Sequence, residues 1–197
     1  MLTKPFLIAA KNRHGIDWQK SVSCHGHPIA EVLSAVIKEI RRGKEEESLF
    51  WALEMAACGS TAEEFLWECL LVCVPEDIGL SEPEALNIVK NAKDGYFSLP
   101  QGDKRRFIFL AFVTCYLCRS TKSRYVSELL GDVLNRMESE ELNPKMPDYA
   151  VDMHTTRGKA LGRGLLHYLT EASSLTGKDH VFTDIYLQRL IERAGKK

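Results

Sequence analysis

The densest run of chemistry-bearing residues lies between Asp152 and Gly164. It holds Asp152 and His154 two positions apart, Arg157, Lys159 and Arg163 within seven positions, and Gly158, Gly162 and Gly164. Basic side chains beside glycines suit an anion, because a guanidinium presents a rigid fork of donors and glycine lets a backbone or a phosphate approach closely. On a helix Gly158 and Gly162 would share a face, and the competing use of that face is tight packing against another helix. Asp152 with His154 raises acid/base chemistry, with Asp152, His154, Arg157 and Gly158 forming a pocket for a small phosphorylated or otherwise anionic substrate. Two residues apart on a helix, however, the two side chains point away from each other, and no nucleophile stands beside them.

A second basic segment spans residues 103 to 124, where Lys104, Arg105, Arg106, Arg119, Lys122 and Arg124 face a single carboxylate, Asp103. Arg119, Lys122 and Arg124 join Arg157, Lys159 and Arg163 as candidates for the phosphates of DNA, with binding that falls steeply as salt rises. Residues 44 to 84 are the opposite, with eleven carboxylates against Lys44 alone. Patches of opposite sign permit self-association, the two segments meeting across an interface between chains, or binding to a polyanion. Each is equally readable as a solvated helix face.

Cysteines supply the remaining candidates. Cys69 with Cys73, and Cys115 with Cys118, sit at helical spacings that could present two thiols to one side, as a metal site between helices requires. Their neighbours include Leu70, Leu71, Val74, Val113 and Leu117, company in which thiols behave as small core hydrophobes. Cys24-His25-Gly26-His27 resembles a ligand string but has no partner motif in the sequence. The expectation is therefore reduced thiols, no metal and no cofactor. Trp51 and Trp67 fall on amphipathic patterns and read as core or interface residues. Trp18 sits in an unpatterned N-terminal stretch.

What positions these residues must be helices, because apolar residues recur at three- and four-residue spacing almost throughout and strand-like alternation never persists. At 197 residues, 45% hydrophobic and 27% charged, the chain suits one globular domain. The apolar stretch Phe6 to Ala10 is too short for a membrane span or a signal-peptide core, so a cytoplasmic protein without membrane contact is expected. A first helix begins at Pro28, carries Ile29, Val32, Leu33, Val36, Ile37 and Ile40, and stops at Gly43. A second runs from Glu45 to Cys58 with Leu49, Phe50, Leu53 and Ala57 inward. Capping-box patterns at Thr61/Glu64 and Ser81/Glu84 open a third helix, to the break at Pro75, and a fourth ending near Gly95. Phe107 to Cys118 is apolar on nearly every side and predicts a central helix covered all round. Further helices are expected over 123 to 137, 157 to 172 and 183 to 194, with the proline-bearing stretch 138 to 151 as a linker.

Four segments in order carry a resemblance. Leu33-Ser34-Ala35-Val36-Ile37-Lys38-Glu39-Ile40-Arg41, Leu49-Phe50-Trp51-Ala52-Leu53, Glu76-Asp77-Ile78-Gly79-Leu80 and, after the apolar helix, Ser120-Thr121-Lys122-Ser123 resemble the C-terminal region of the replication-associated recombination AAA+ ATPases. These are the bacterial maintenance-of-genome-stability type and their Werner-helicase-interacting relatives. The resemblance implies an all-α bundle of the clamp-loader collar type over 28 to 137, between an irregular segment 1 to 27 and a helical extension 152 to 197. It also implies a homo-oligomer, a tetramer in that family, or association with a full-length AAA+ ATPase, in the service of DNA replication, recombination and repair. The family's GxxxxGK[ST] phosphate loop and acidic metal-binding strand have no counterpart in the sequence, so a non-enzymatic module is expected. Residues 152 to 164 depart from the family pattern, which makes them the place to look for a function of the chain's own.

Overall fold

The computed structural model describes residues 20–177 and 185–196, in two compact units that divide between Leu142 and Asn143. Among the described residues there is no β-strand, only one antiparallel bridge between Val22 and Pro28. Trp18 and the expected helix start at Thr183 lie outside the described residues.

The first unit opens on a tight turn. Ser23 N donates to the His27 carbonyl at 2.7 Å and Ile29 N to the Ser21 carbonyl at 3.0 Å, closing the loop that carries Cys24 and His25. Helix α1, Ile29–Arg41, follows, burying the periodic stripe Ile29, Val32, Leu33, Val36 and Ile40. Gly43 ends the turn after it with a φ of +70°, a conformation glycine adopts without a Cβ penalty.

Helix α2, Glu45–Ala56, has three glutamates in its first turn, where they suit the positive end of the helix dipole. Its inward face differs from the expected one: Phe50 and Leu53 are exposed, while Ser48, Ala52, Met55 and Ala56 are buried. Ser48, Ala52 and Ala56 form a stripe of small residues four apart, and that stripe lets neighbouring backbones come close. The Ser48 hydroxyl touches the Cys118 thiol at 3.1 Å. Phe50 and Leu53 lie off that stripe and stay outside.

Helix α3, Ser60–Cys73, starts directly after Gly59, and neither it nor α4 is capped by a side chain, so the expected capping boxes do not form. Pro75 does not break the chain abruptly. It is absorbed by a wide π turn, Val74–Ile78, which ends at Gly79. Helix α4, Ala85–Ser98, runs through Gly95 rather than stopping near it. A Cβ at Gly95 would sit 2.6 Å from the Phe109 ring, so the glycine permits close packing instead of ending the helix.

Helix α5, Arg106–Arg119, is central but not covered all round. Leu110, Val113, Leu117 and Cys118 are buried, while Ile108 is 67% and Phe112 55% exposed. Helix α6, Tyr125–Glu138, has no buried residue, and its apolar Leu129, Leu130 and Met137 face solvent.

The second unit contains a 3₁₀ turn, Asp148–Ala150, then α7, Thr156–Ala160, then α8, Leu165–His167, which continues into a π turn, Tyr168–Ala172, and finally α9, Ile185–Ala194. The single helix expected over 157 to 172 is thus two short pieces. Gly162 lies beyond the end of α7 with a φ of +69°, and so does not share a helix face with Gly158.

Candidate functional site

The acidic and basic segments meet inside one chain. Arg41 at the end of α1 donates from Nε to Asp77 Oδ1 at 2.8 Å and from Nη2 to Glu76 Oε1 at 3.1 Å. Arg124 approaches the same pair, at 3.5 Å from Glu76 and 3.8 Å from Asp77. The π turn after α3 positions both carboxylates, and Ser123 N donates to the Asp77 carbonyl at 2.8 Å, tying the start of α6 to that turn. Gly79 is required beside it, because a Cβ there would lie 2.8 Å from the Ser123 carbonyl oxygen. Arg119 forms a two-armed pair with Glu45 at 2.6 and 3.1 Å, which holds the Glu45 carboxyl below its ordinary range. Lys122 turns back on α5 and donates to the carbonyls of Leu117, Cys118 and Ser120 at 2.7 to 3.0 Å, satisfying a helix end that would otherwise carry bare acceptors. Burial there pushes the Lys122 pKa down.

Deeper in the first unit lies a network that the sequence pattern did not single out. Arg106 Nη2 donates to Glu63 Oε2 at 2.9 Å, Tyr96 Oη donates to Glu63 Oε1 at 3.0 Å, and Arg106 Nε donates to the Tyr96 carbonyl at 3.1 Å. The guanidinium lies 4.2 Å from the centre of the Tyr96 ring. The one signal for it was an arginine at the head of an almost wholly apolar helix.

In the second unit Arg163 is a structural staple. Nη2 donates to both carboxylate oxygens of Asp148 at 2.6 and 2.7 Å, and Nη1 donates to the Asp148 and Val151 carbonyls. Asp152 and His154 do meet, contrary to the expectation from helical spacing, because Asp152 precedes α7. One Asp152 carboxylate oxygen accepts from the His154 backbone N–H and the other lies 2.9 Å from Nδ1. Those bonds hold the Asp152 carboxyl below its ordinary range. The turn leads into Thr155, whose hydroxyl accepts from Gly158 N at 3.0 Å and so caps α7. Gly158 is buried here, and a Cβ on it would run into the Asp152 carbonyl oxygen. Packing, not anion approach, therefore explains Gly158. Arg157 and Lys159 are exposed and have no ion-pair partner among the described residues.

The four helical cysteines do not converge on a metal cluster among the described residues. Burial pushes the Cys69 thiol up to about 12, and the Cys73 thiol, bonded to Asp77, is raised as well. Thiols so shifted stay protonated and behave as core atoms.

A helical fold without strands among the described residues, its elements tied by ion pairs such as Arg41–Asp77, Arg106–Glu63 and Arg163–Asp148, defines a helical domain of the kind that accompanies an AAA+ ATPase core. The MgsA AAA+ ATPase C-terminal family model matches residues 43–193, and the chain belongs to that family. The match begins after the first of the four resembling segments and, against expectation, runs past residue 137 and through residues 152–164, which therefore belong to the family pattern instead of departing from it. An uncharacterized AAA domain-containing protein of Mycobacterium tuberculosis is 26% identical over 134 residues, which cover 67% of this chain and 28% of that relative. The chain thus spans under a third of the curated relative's length. No helix among the described residues is long and apolar enough to cross a membrane.

Proposed function

We propose that this chain is an assembly domain, joining copies of itself or a full-length AAA+ ATPase through the outer side of α5. The observation that carries this reading is the open face of the central helix. Ile108 and Phe112, one turn apart, are exposed and line a shallow groove with Ile88, Asn91, Ala92 and Phe109. A helix apolar on every side calls for cover on every side, and a contiguous exposed apolar patch is the mark of an interaction surface. The tetramer known in the family supplies the expected stoichiometry, and work at replication forks its setting. All six cysteines are free, which fits the reducing cytoplasm. Size-exclusion chromatography with light scattering tests the reading. The chain is expected as a multimer, and Ile108→Glu is expected to yield a monomer of unchanged helicity. A wild-type chain that stays monomeric at high concentration overturns it.

DNA contact is a second reading, supported by two of the candidate basic residues, Arg157 and Lys159, which are exposed and in no ion pair among the described residues. A mobility shift of single- or double-stranded DNA at low salt, lost in the double variant Arg157→Ala/Lys159→Ala, supports it. The absence of any shift sinks it.

A further inference from the structure

The turn before α1 brings two residues of the Cys24-His25-Gly26-His27 string onto a buried carboxylate of α2. Cys24 Sγ lies 3.3 Å from Glu54 Oε2 and 3.5 Å from His25 Nδ1, and His25 Nδ1 lies 2.6 Å from Glu54 Oε2. The Glu54 side chain is only 3% exposed, while Cys24 and His25 are open to solvent. Its second oxygen accepts from the His25 backbone N–H at 3.1 Å, which fixes the carboxylate in place. Glu54 is therefore the partner that the sequence string lacked. His27 takes no part, since its ring packs edge-on against Trp51 at 5.2 Å.

We propose that Cys24 Sγ, His25 Nδ1 and Glu54 Oε2 form a binding site for a zinc-type divalent metal ion, pinning the N-terminal turn to α2. Thiolate, imidazole and carboxylate are the donors that zinc takes, at about 2.3, 2.0 and 2.1 Å, and in a tetrahedral site those lengths place the donors about 3.3–3.6 Å from one another. Two of the three edges already have that length. The third, between His25 and Glu54, is drawn in by a hydrogen bond and must open by about 0.7–0.8 Å once a metal replaces the shared proton, a movement that the exposed His25 ring is free to make. On binding, the Cys24 S–H proton leaves to solvent and the thiolate bonds the metal, while the proton held between His25 Nδ1 and Glu54 is also given up to solvent and His25, neutral with its one proton on Nε2, donates the Nδ1 lone pair. Cys58, one turn after Glu54, donates to the Glu54 carbonyl at 3.2 Å and stands outside this three-donor cluster, so a water completes the four-coordinate site.

The test is titration of the full chain, freed of metal with a chelator, with cobalt(II) as the spectroscopic stand-in for zinc. One equivalent is expected to raise a thiolate-to-cobalt charge-transfer band and the intense visible bands of a tetrahedral site, both bleached by zinc. Cys24→Ser and His25→Ala, at exposed positions, are expected to keep the wild-type far-ultraviolet spectrum and to weaken binding at least tenfold. Glu54→Gln is expected to do the same, and the two exposed variants decide the matter if it fails to fold. Absence of a thiolate band, or wild-type affinity in either exposed variant, overturns the site.

Discussion

The Arg106 guanidinium and the Glu63 carboxylate meet at 2.9 Å with side chains only 5% and 7% exposed, locking α5 to α3 inside the first unit. An ion pair so deep is neutral or even unfavourable against a well-packed apolar pair, but breaking it leaves one charge stranded. Glu63→Ala is expected to lower stability by about 3–5 kcal/mol, and pairing it with Arg106→Met is expected to recover much of the loss. Urea unfolding of the two variants reads the difference. A Glu63→Ala loss under about 1 kcal/mol contradicts the account, since that is what an exposed pair gives.

The two arginines on Asp77 are not equivalent. Asp77 is buried, Arg41 meets it at 2.8 Å and Arg124 only at 3.8 Å. Arg41→Ala is expected to destabilise by about 3 kcal/mol, and Arg124→Ala by less than about 1 kcal/mol. Equal midpoints in chemical denaturation refute the ranking.

Gly158 and Gly164 give a paired test of the second unit. A Cβ at Gly158 strikes the Asp152 carbonyl, whereas one at Gly164 meets nothing within 4 Å. Gly158→Ala is expected to lose about 3 kcal/mol and to free the Asp152–His154 turn, visible as a shifted His154 resonance. Gly164→Ala is expected to leave that resonance in place.

Assembly through Ile108 and Phe112 predicts indifference to salt. Raising ionic strength shortens the screening length from about 10 Å at 0.1 M to about 3 Å at 1 M, which dissolves charge-led contacts and spares apolar ones. The multimer is expected to persist at 1 M salt. Dissociation there returns the interface to the acidic and basic segments.

Asp148 gives a pH dependence with a definite sign. The Arg163 hydrogen bonds hold its carboxyl below the ordinary 3.8, so its folded pKa is depressed. Its contribution to stability is present above 3.8 and lost as pH falls through the folded value. The effect is small because Asp148 is exposed, and an NMR titration of its carboxyl carbon is the measurement. Arg163→Ala is expected to bring the midpoint back to about 3.8.

The sequence by itself determined that the chain is helical, because a 3.6-residue apolar period leaves no other way to bury Val32, Val36 and Ile40 together. It also carried the family, through four local segments whose order survives without knowledge of packing. Helix ends were read less well. Gly95 and the capping-box pairs have local preferences that tertiary packing overrode, and on α2 the small-residue stripe outcompeted Phe50 and Leu53 for the inside.

Only the tertiary structure decided what the charges do. Glu45 and Arg119, or Glu76 and Arg124, are far apart in sequence, and no periodicity announces that they touch. The same holds for Glu54, which looks like one more surface glutamate until the turn at Cys24 and His25 folds over it. Spacing along a chain fixes neighbours on a helix, but pairs between elements depend on how those elements pack.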